Sequence, residues 1–472
     1  MTGKRWQALA IGFGIALAAA SAGAADGDLD PTFGDAGIAR IEPDGVDTIA
    51  LLPMRALELP DGKLLFSGAH HYLPPENPPF EPVVRGMLMR MNADGSVDTG
   101  FGNSTAPGVA VLPDLVPGTR IQSIDAMVRL ADGSIVGTGS AIADAPTQGF
   151  VVKLGPDGVL DATFGSGGVV LFPDVGLHAV AVDAAGRIVV CGERVLEHFV
   201  NASTVIRLDA AGQPDASFGD AGSVSIGWSD ASVSGYLADL ALTPDGGIVV
   251  GGRFSAYGPG LDTDFAIAKL ADDGTFDTAF GAGGWRVFHD EAGASTTNGI
   301  DRLALLADGR IVFAGYRGTG AGTRGAALGR LAADGSTDAT FGNVATPGYL
   351  YVDAIPDAPS VDASALAIGA DGKPVVALTY FSSSEDEQFL AFRATADGAL
   401  DTGFAAQGIF SLALAPDGMP ADVRSLAVQR DGRIVIAGRV MQAIDPPLTD
   451  MVVVRLLGAS GDDTIFADGF DG

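Results

Sequence analysis

The chain has 472 residues and a single cysteine, Cys191, so it can form no internal disulfide and no cysteine-rich metal site. Cations are scarce: 28 Lys and Arg stand against 58 Asp and Glu, a formal net charge of -30. Nucleic acid and anionic membrane surfaces are polyanions themselves, so neither is an expected partner. Beyond the amino terminus no run is apolar and long enough to span a bilayer, so no membrane insertion is expected. No stretch sustains a helical hydrophobic period. The sequence lacks His-Glu-x-x-His and Gly-x-Ser-x-Gly. Histidine is limited to His70, His71, His178, His198 and His289, and the adjacent pair His70-His71 has no evident third ligand. Glycine, by contrast, is abundant at 67 residues, and 47% of the chain is hydrophobic. That is enough apolar surface for a large core in a turn-dense globular protein.

The first residues read as an address. Lys4 and Arg5 precede an apolar run from Ala8 to Ala20, then the small residues Ser21-Ala22-Gly23-Ala24-Ala25. This is the pattern of a secretory signal peptide over residues 1–24, cut after Ala24 or Ala25. Losing its two positive charges leaves the mature chain at -32. The protein is therefore expected outside the cytoplasm: secreted, periplasmic or at the cell surface. Cys191, within Ile188-Val189-Val190-Cys191-Gly192, is expected to be a small buried strand residue.

Internal repetition dominates the rest. Asp-x-x-Phe recurs seven times, ending at Phe33, Phe101, Phe164, Phe218, Phe280, Phe341 and Phe404, with spacings of 68, 63, 54, 62, 61 and 63. Six of these Phe precede Gly; the exception precedes Ala405. Between copies lies Asp-Gly followed by a strand-like run that ends in Gly, as in Asp245-Gly246 to Gly252 and Asp431-Gly432 to Gly438. A third run carries one basic residue, as in Phe150-Val151-Val152-Lys153-Leu154. Each period of about 60 residues thus holds four short strand candidates, here termed a to d.

This pattern predicts an all-β, seven-bladed β-propeller with four strands per blade over residues 25–457, leaving an acidic tail at 458–472. Strand a should be innermost, which suits the small residues Ala238, Ala241, Ala304, Ala363, Ala365, Ala367 and Ala427. The chain opens on a d strand, Gly37 to Ile41, and closes on a c strand, Met451 to Leu456. The first should therefore complete the last blade and close the ring. The repeated Asp-Gly pairs are expected to be turns, and the Phe to plug the gap between blades. An EF-hand from Asp26 fails, because position six is Pro31 and position twelve is Gly37. Asp157 to Gly168 and Asp431 to Gly438 are the clearest copies, and the combined motif resembles the delta-60 repeat family of secreted bacterial proteins. The resemblance covers about residues 26–457 and implies a propeller without implying a reaction.

One face of such a propeller would carry uniform turns and the other the variable b–c and d–a connections, which makes the variable face the expected binding surface. The expected function is that of a secreted, monomeric, non-catalytic binding or structural propeller for an extracellular polymer, glycan or protein. One alternative is a calcium-dependent enzyme acting on an extracellular glycan or phosphoester, and another is an assembly or adhesion protein. Every d–a connection also carries an aspartate: Asp44, Asp114, Asp174, Asp230, Asp290, Asp353 and Asp417. These form a candidate carboxylate ring for calcium, a hard cation that accepts irregular oxygen coordination, weighed against plain turn capping. In the tail, Ile465-Phe466-Ala467-Asp468-Gly469-Phe470 sets two aromatics in an acidic segment and suggests a sorting or docking tag.

Overall fold

The computed structural model describes residues 25–458, apart from 44–47, 74–81, 105, 143–146, 197–200, 228–232, 257–262, 289–296, 321–322, 354, 356–359, 381–386, 416–418 and 445–446. The expected signal peptide, the acidic tail with its two aromatics, His198, His289, and parts of most variable connections lie outside the described residues.

Among the described residues every regular element is a β-strand, and strands consecutive within a sheet group pair antiparallel. One four-strand group runs Ile121–Arg129, Ile135–Ile142, Gln148–Leu154, Val169–Pro173, in that order across the sheet. The next is Val175–Val182, Ile188–Val195, Asn201–Leu208, Ser223–Ile226. Then come Val233–Leu242, Ile248–Ala256, Thr263–Leu270, Trp285–Phe288, and Asn298–Leu305, Ile311–Gly320, Thr323–Leu331, Tyr349–Val352. Val361–Ile368, Pro374–Tyr380, Phe389–Arg393 and Ile409–Leu412 follow.

A two-stranded pair, Gly342–Asn343 with Thr346–Pro347, stands apart, and eight further strands share a sheet that divides at one residue pair, Ala50 with Thr449. One half is Ala50–Glu58, Leu64–Tyr72, Val83–Met91, Val109–Val111, the first group along the chain. The other half is Ala421–Val428, Ile434–Ile444, Pro447–Leu456, with Ile38–Ile41 paired antiparallel on its outer side. The strand at the start of the chain therefore supplies the fourth strand of the last group. The first strand of every group packs on that of the next, and Ala50–Glu58 packs on Ala421–Val428.

The repeated motif is an interlock between neighbouring groups. The Asp of each Asp-x-x-Phe holds the basic residue of its strand c: Asp98 with Arg90, Asp161 with Lys153, Asp215 with Arg207, Asp277 with Lys269, Asp338 with Arg330, Asp401 with Arg393, and Asp30 with Arg455, at 2.7–3.3 Å. In five copies the guanidinium also lies over the motif Phe, 4.4–4.6 Å from the ring centroid. Its far end crosses to a backbone carbonyl of the following group, as from Arg90 to Pro156 and Arg330 to Ala396.

The residue after Phe donates its N–H to the next Asp-Gly turn: Gly34 to Asp94, Gly219 to Asp273, Gly281 to Asp334 and Gly342 to Asp397. The turn glycine must come close, since a Cβ on Gly335 would press on Phe280 and one on Gly398 on Phe341. At the chain junction Ala405 donates to Asp26, so the first described residues supply the turn that the last junction needs. All seven motif Phe are buried, so the expectation that they plug the gaps holds. The turn aspartates accept backbone N–H groups two residues on, as Asp94 does from Ser96 and Asp334 from Ser336. Cys191 is fully buried in its strand.

Candidate functional site

The a strands carry a feature absent from the sequence-based expectation. Each is interrupted at one position by a β-bulge, where the register against strand b skips a residue. The skipped residues are Met54, Asp125, His178, Ala238, Asp301, Ser364 and Arg424. The bulge also explains the glycine that closes the second motif. At Gly68, Gly139, Gly192, Gly252, Gly315 and Gly438 a Cβ would fall on the a-strand carbonyl oxygen that leans across the bulge. The small residues predicted for strand a are there, with Ala238, Ala363 and Ala365 buried. They are not the whole lining, because four of the seven bulges present a titratable side chain: Asp125, His178, Asp301 and Arg424.

Around the bulges the side chains form a chain of contacts from group to group. Glu193 Oε2 stands 2.5 Å from His178 Nε2. The His178 ring packs on Tyr236 with centroids 4.6 Å apart, and Arg253 covers Tyr236 at 4.1 Å. Tyr316 lies under Arg324 at 4.0 Å, and Arg324 pairs with Asp362 at 2.7 Å. Asp422 holds both Arg424 and Arg439, at 2.8 and 2.7 Å. Arg55 of the first group meets Asp239 of the fourth at 3.3 Å, so side chains from distant groups converge. We call this convergence the throat. Its residues sit where strands a begin and strands b end, the side from which the variable connections leave. Tyr236 with Arg253, and Asp422 with Arg439, are direct cross-strand partners.

Depth in the throat raises its carboxyls. Burial pushes Asp125 up to about 6, against a hydrogen bond from Ser123 and the charges of His178, Arg55 and Arg302. Burial and then the neighbouring Asp362 push Asp301 up to about 7, against Arg302, Arg253 and Arg324. Both side chains keep partial contact with solvent, so the rise reflects their depth among packed groups rather than complete exclusion of water. Burial, helped by Arg55, draws Arg302 down to about 10. Burial also raises the Tyr236 hydroxyl, which stays protonated. These charged bulge residues were missed from sequence. The signal was present: when the seven copies are aligned on strand a, one position varies from Met to Asp, His, Ala, Ser and Arg.

Of the seven connection aspartates, Asp44, Asp230, Asp290 and Asp417 lie outside the described residues. Asp114 stands 3.6 Å from Arg85, and Asp353 is held by Arg317. Asp174 occupies the left-handed region at φ 59°. Among the described residues no group of three or more His, Cys, Asp or Glu is placed to hold a metal ion. His70 Nε2 lies 3.0 Å from Thr48 Oγ1, whereas burial and then Arg439 lower its neighbour His71 to about 4.

Residues 130–164, 243–280 and 306–341 match a family model described as a domain of unknown function (DUF5122) beta-propeller. Each matched segment begins at the a–b turn and ends on a motif Phe, so it covers the interlock and leaves out the bulged a strand. No curated protein matches the chain. Among solved structures, a protein of unknown function from Dyadobacter fermentans is 14% identical over 73% of this chain and 95% of its own, with a TM-score of 0.41. A polysaccharide lyase of family PL25, an ulvan lyase, is 11% identical over 91% of this chain and 98% of its own, with a TM-score of 0.47. A GH93 α-L-arabinofuranosidase of Fusarium graminearum is 14% identical over 70% and 92%, with a TM-score of 0.39. By its repeated segments and its succession of four-stranded antiparallel sheets, this chain is a β-propeller repeat protein.

Proposed function

We propose that the chain is an exported, closed seven-bladed propeller of the delta-60 type that binds an extracellular polymer, glycan or protein on its variable face, with the throat at the centre of the site. Closure is supported by the pairing of Ile38–Ile41 with Pro447–Leu456 and by the unbroken succession of a-strand contacts. One observation carries the binding site: the interlock repeats an Asp, a Phe and a strand-c cation in every group, whereas the bulge position ranges over Met, Asp, His, Ala, Ser and Arg. A repeated residue serves the scaffold, and a varied one can read a ligand. The ion pairs of the throat hold guanidinium, carboxylate and phenol groups in a fixed array, which is what recognition without reorganisation requires.

A second reading, an enzyme acting on an extracellular glycan or phosphoester, is favoured by Asp125 and Asp301. Carboxyls raised to about 6 and about 7 can exchange protons near neutral pH. The test is a glycan array and thermal-shift screen on the mature chain, followed by product analysis on every glycan bound. Binding without product, abolished by Arg424→Ala and Tyr236→Ala, supports the first reading. Release of product that Asp301→Asn abolishes supports the second, and wild-type binding by both throat variants overturns the placement of the site.

A further inference from the structure

The face opposite the throat, where strands a end and strands b begin, carries a cleft between the first two groups. It encloses about 300 Å³ and is lined by Leu59, Pro60, Leu65, Ile135 and Pro156. Leu65 and Ile135 are buried members of one core cluster on which Leu59 packs, so the cleft opens onto the core. A closed apolar cavity of roughly 150 Å³ already holds a benzene ring. Two arginines line the cleft as well. Arg90 is engaged in the interlock, with Asp98 and with the Pro156 oxygen. Arg129 makes no hydrogen bond or ion pair among the described residues. Asp132, which feels the charge of Arg129, turns Oδ1 to the N–H and hydroxyl of Ser134, and the lining acid Asp61 accepts the Lys63 N–H.

The equivalent cleft between the fourth and fifth groups shows what is particular to the first. Pro244, Val249 and Ile311 stand for Pro60, Leu65 and Ile135, but the volume is only about 130 Å³. Leu305 takes the place of Arg129, and Lys269, the counterpart of Arg90, pairs with Asp277 at 3.0 Å. The first cleft is therefore the larger, and it alone of the two has an unpaired guanidinium at its edge.

The described chain leaves the fold close by. A Cβ on Gly458 would fall on the Gly432 carbonyl oxygen, so the last described residue lies against the turn that holds Gln429 to Gly432. In that turn Arg430 donates its N–H to Glu58 Oε2 at 2.9 Å, and Gln429 Nε2 donates to Glu58 Oε1 at 3.0 Å. Glu58 directly precedes Leu59 of the cleft. The route from Gly458 to the cleft is thus on the order of 20 Å, whereas the eight residues from Gly458 to Phe466 can span at most about 29 Å. The segment beyond the described residues contains Asp462-Asp463-Thr464-Ile465-Phe466-Ala467-Asp468-Gly469-Phe470. Aromatic rings beside carboxylates complement an apolar cleft edged by a guanidinium.

We propose that the segment from Ile465 to Phe470 docks on this face of its own chain, with the Phe466 ring in the cleft and the Asp468 carboxylate on Arg129. Residues two apart on an extended segment face the same way, so the ring and the carboxylate can reach the surface together. Docking shelters the segment until something competes for the cleft.

Disulfide trapping in the full mature chain provides the first test. The native Cys191 is fully buried and stays out of the reaction. Ala467→Cys keeps both docking side chains. Combined with Pro60→Cys it is expected to close a disulfide within one chain under mild oxidation, whereas combined with Pro244→Cys, at the equivalent turn, it is not. Amide exchange read by mass spectrometry provides the second test. Residues 465–470 should exchange more slowly in the chain than in a synthetic peptide of residues 459–472. Phe466→Ser should speed that exchange by about tenfold or more, and Arg129→Gln by about two- to fivefold. An unchanged melting temperature in each variant certifies that the propeller is intact. Equal trapping at Pro60 and Pro244, or disulfides formed only between two chains, overturns the docking. So does exchange in the wild-type chain at the rate of the free peptide, or exchange that Arg129→Gln leaves unaltered. None of these substitutions touches the throat, so the docking and the binding role of the variable face fail separately.

Discussion

The interlock and the throat use the same residue, aspartate, to opposite ends. In the interlock burial disfavours the charge of Asp30 and Asp338, but hydrogen bonds from Thr32 or Thr340 and the nearby arginines outweigh it and hold both at about 2. In the throat burial wins, and Asp125 and Asp301 rise to about 6 and about 7. The difference lies in the local backbone. An interlock aspartate sits in a turn whose N–H groups and hydroxyls point at it, so the anion is solvated by the chain itself. A bulged throat aspartate stands in a strand rather than a turn, with fewer donors to replace the water it lost: Asp125 accepts from Ser123 alone among the hydrogen bonds described. The first arrangement fastens group to group; the second stores unmet electrostatic demand at one place on the surface. On the proposed function, stability and recognition are thereby separated along every repeat.

Removing Gly37 to Ile41 should separate these regions most sharply. The last group would lose its fourth strand and expose the edge of Pro447–Leu456, so loss of cooperative melting and aggregation in size-exclusion chromatography are expected. An unchanged melting temperature would refute the assignment of that strand as structural. Next in size is Asp30→Ala. It strands Arg455, whose side chain is 2% exposed, and the expected loss is about 3–5 kcal/mol by chemical denaturation. Asp301→Asn in the throat should cost far less at the same pH, and a similar cost would erase the distinction drawn here.

Gly252→Ala, which drives a Cβ onto the Tyr236 carbonyl at a bulge, should cost about 1–3 kcal/mol and weaken any throat ligand as well.

The two regions should also differ in the sign of their pH dependence. Asp301 is raised from 3.8 to about 7, so its contribution to stability is present at low pH and is lost as pH rises between about 4 and 7. Asp30 is lowered from 3.8 to about 2, so its contribution is present above about 4 and is lost as pH falls toward 2. Melting curves of wild type against Asp301→Asn and Asp30→Asn across pH 2–8 should diverge in those two windows, and curves that stay parallel would refute both assignments. The smallest expected effect is that of calcium. With Asp114 and Asp353 facing arginines, any site among the connection aspartates should be weak. Calcium at a concentration equal to Kd would then stabilise by only ~0.4 kcal/mol. A calorimetric titration showing tight binding, lost in Asp174→Asn, would restore the carboxylate ring as a cation site.

Much of the scaffold was legible before any coordinates. The turn role of Asp-Gly, the gap-filling Phe, the order of strands a to d and the pairing of Gly37–Ile41 with the last group all follow from residues that recur at fixed spacing. Periodicity multiplies a weak local signal seven times. The partnership of the strand-c cation with the motif Asp could also have been inferred, since the two recur together eight residues apart, as Arg90 and Asp98 do. The throat was legible only as one variable position in strand a; that this position is a bulge was not. A bulge leaves no turn residue behind, and the Gly that accommodates it, such as Gly252, reads in sequence as an ordinary strand end.

The sequence by itself determined the all-β class, the length of the repeat, and the chemistry of each junction, because those depend on contacts within a repeat or with the next one. The tertiary structure alone decided that Arg55 meets Asp239, and that His178, Tyr236 and Arg253 stack. Those groups are far apart along the chain. Their meeting depends on where successive bulged strands converge, and a distance of that kind is set by the accumulated twist and packing of whole sheets rather than by any local pattern.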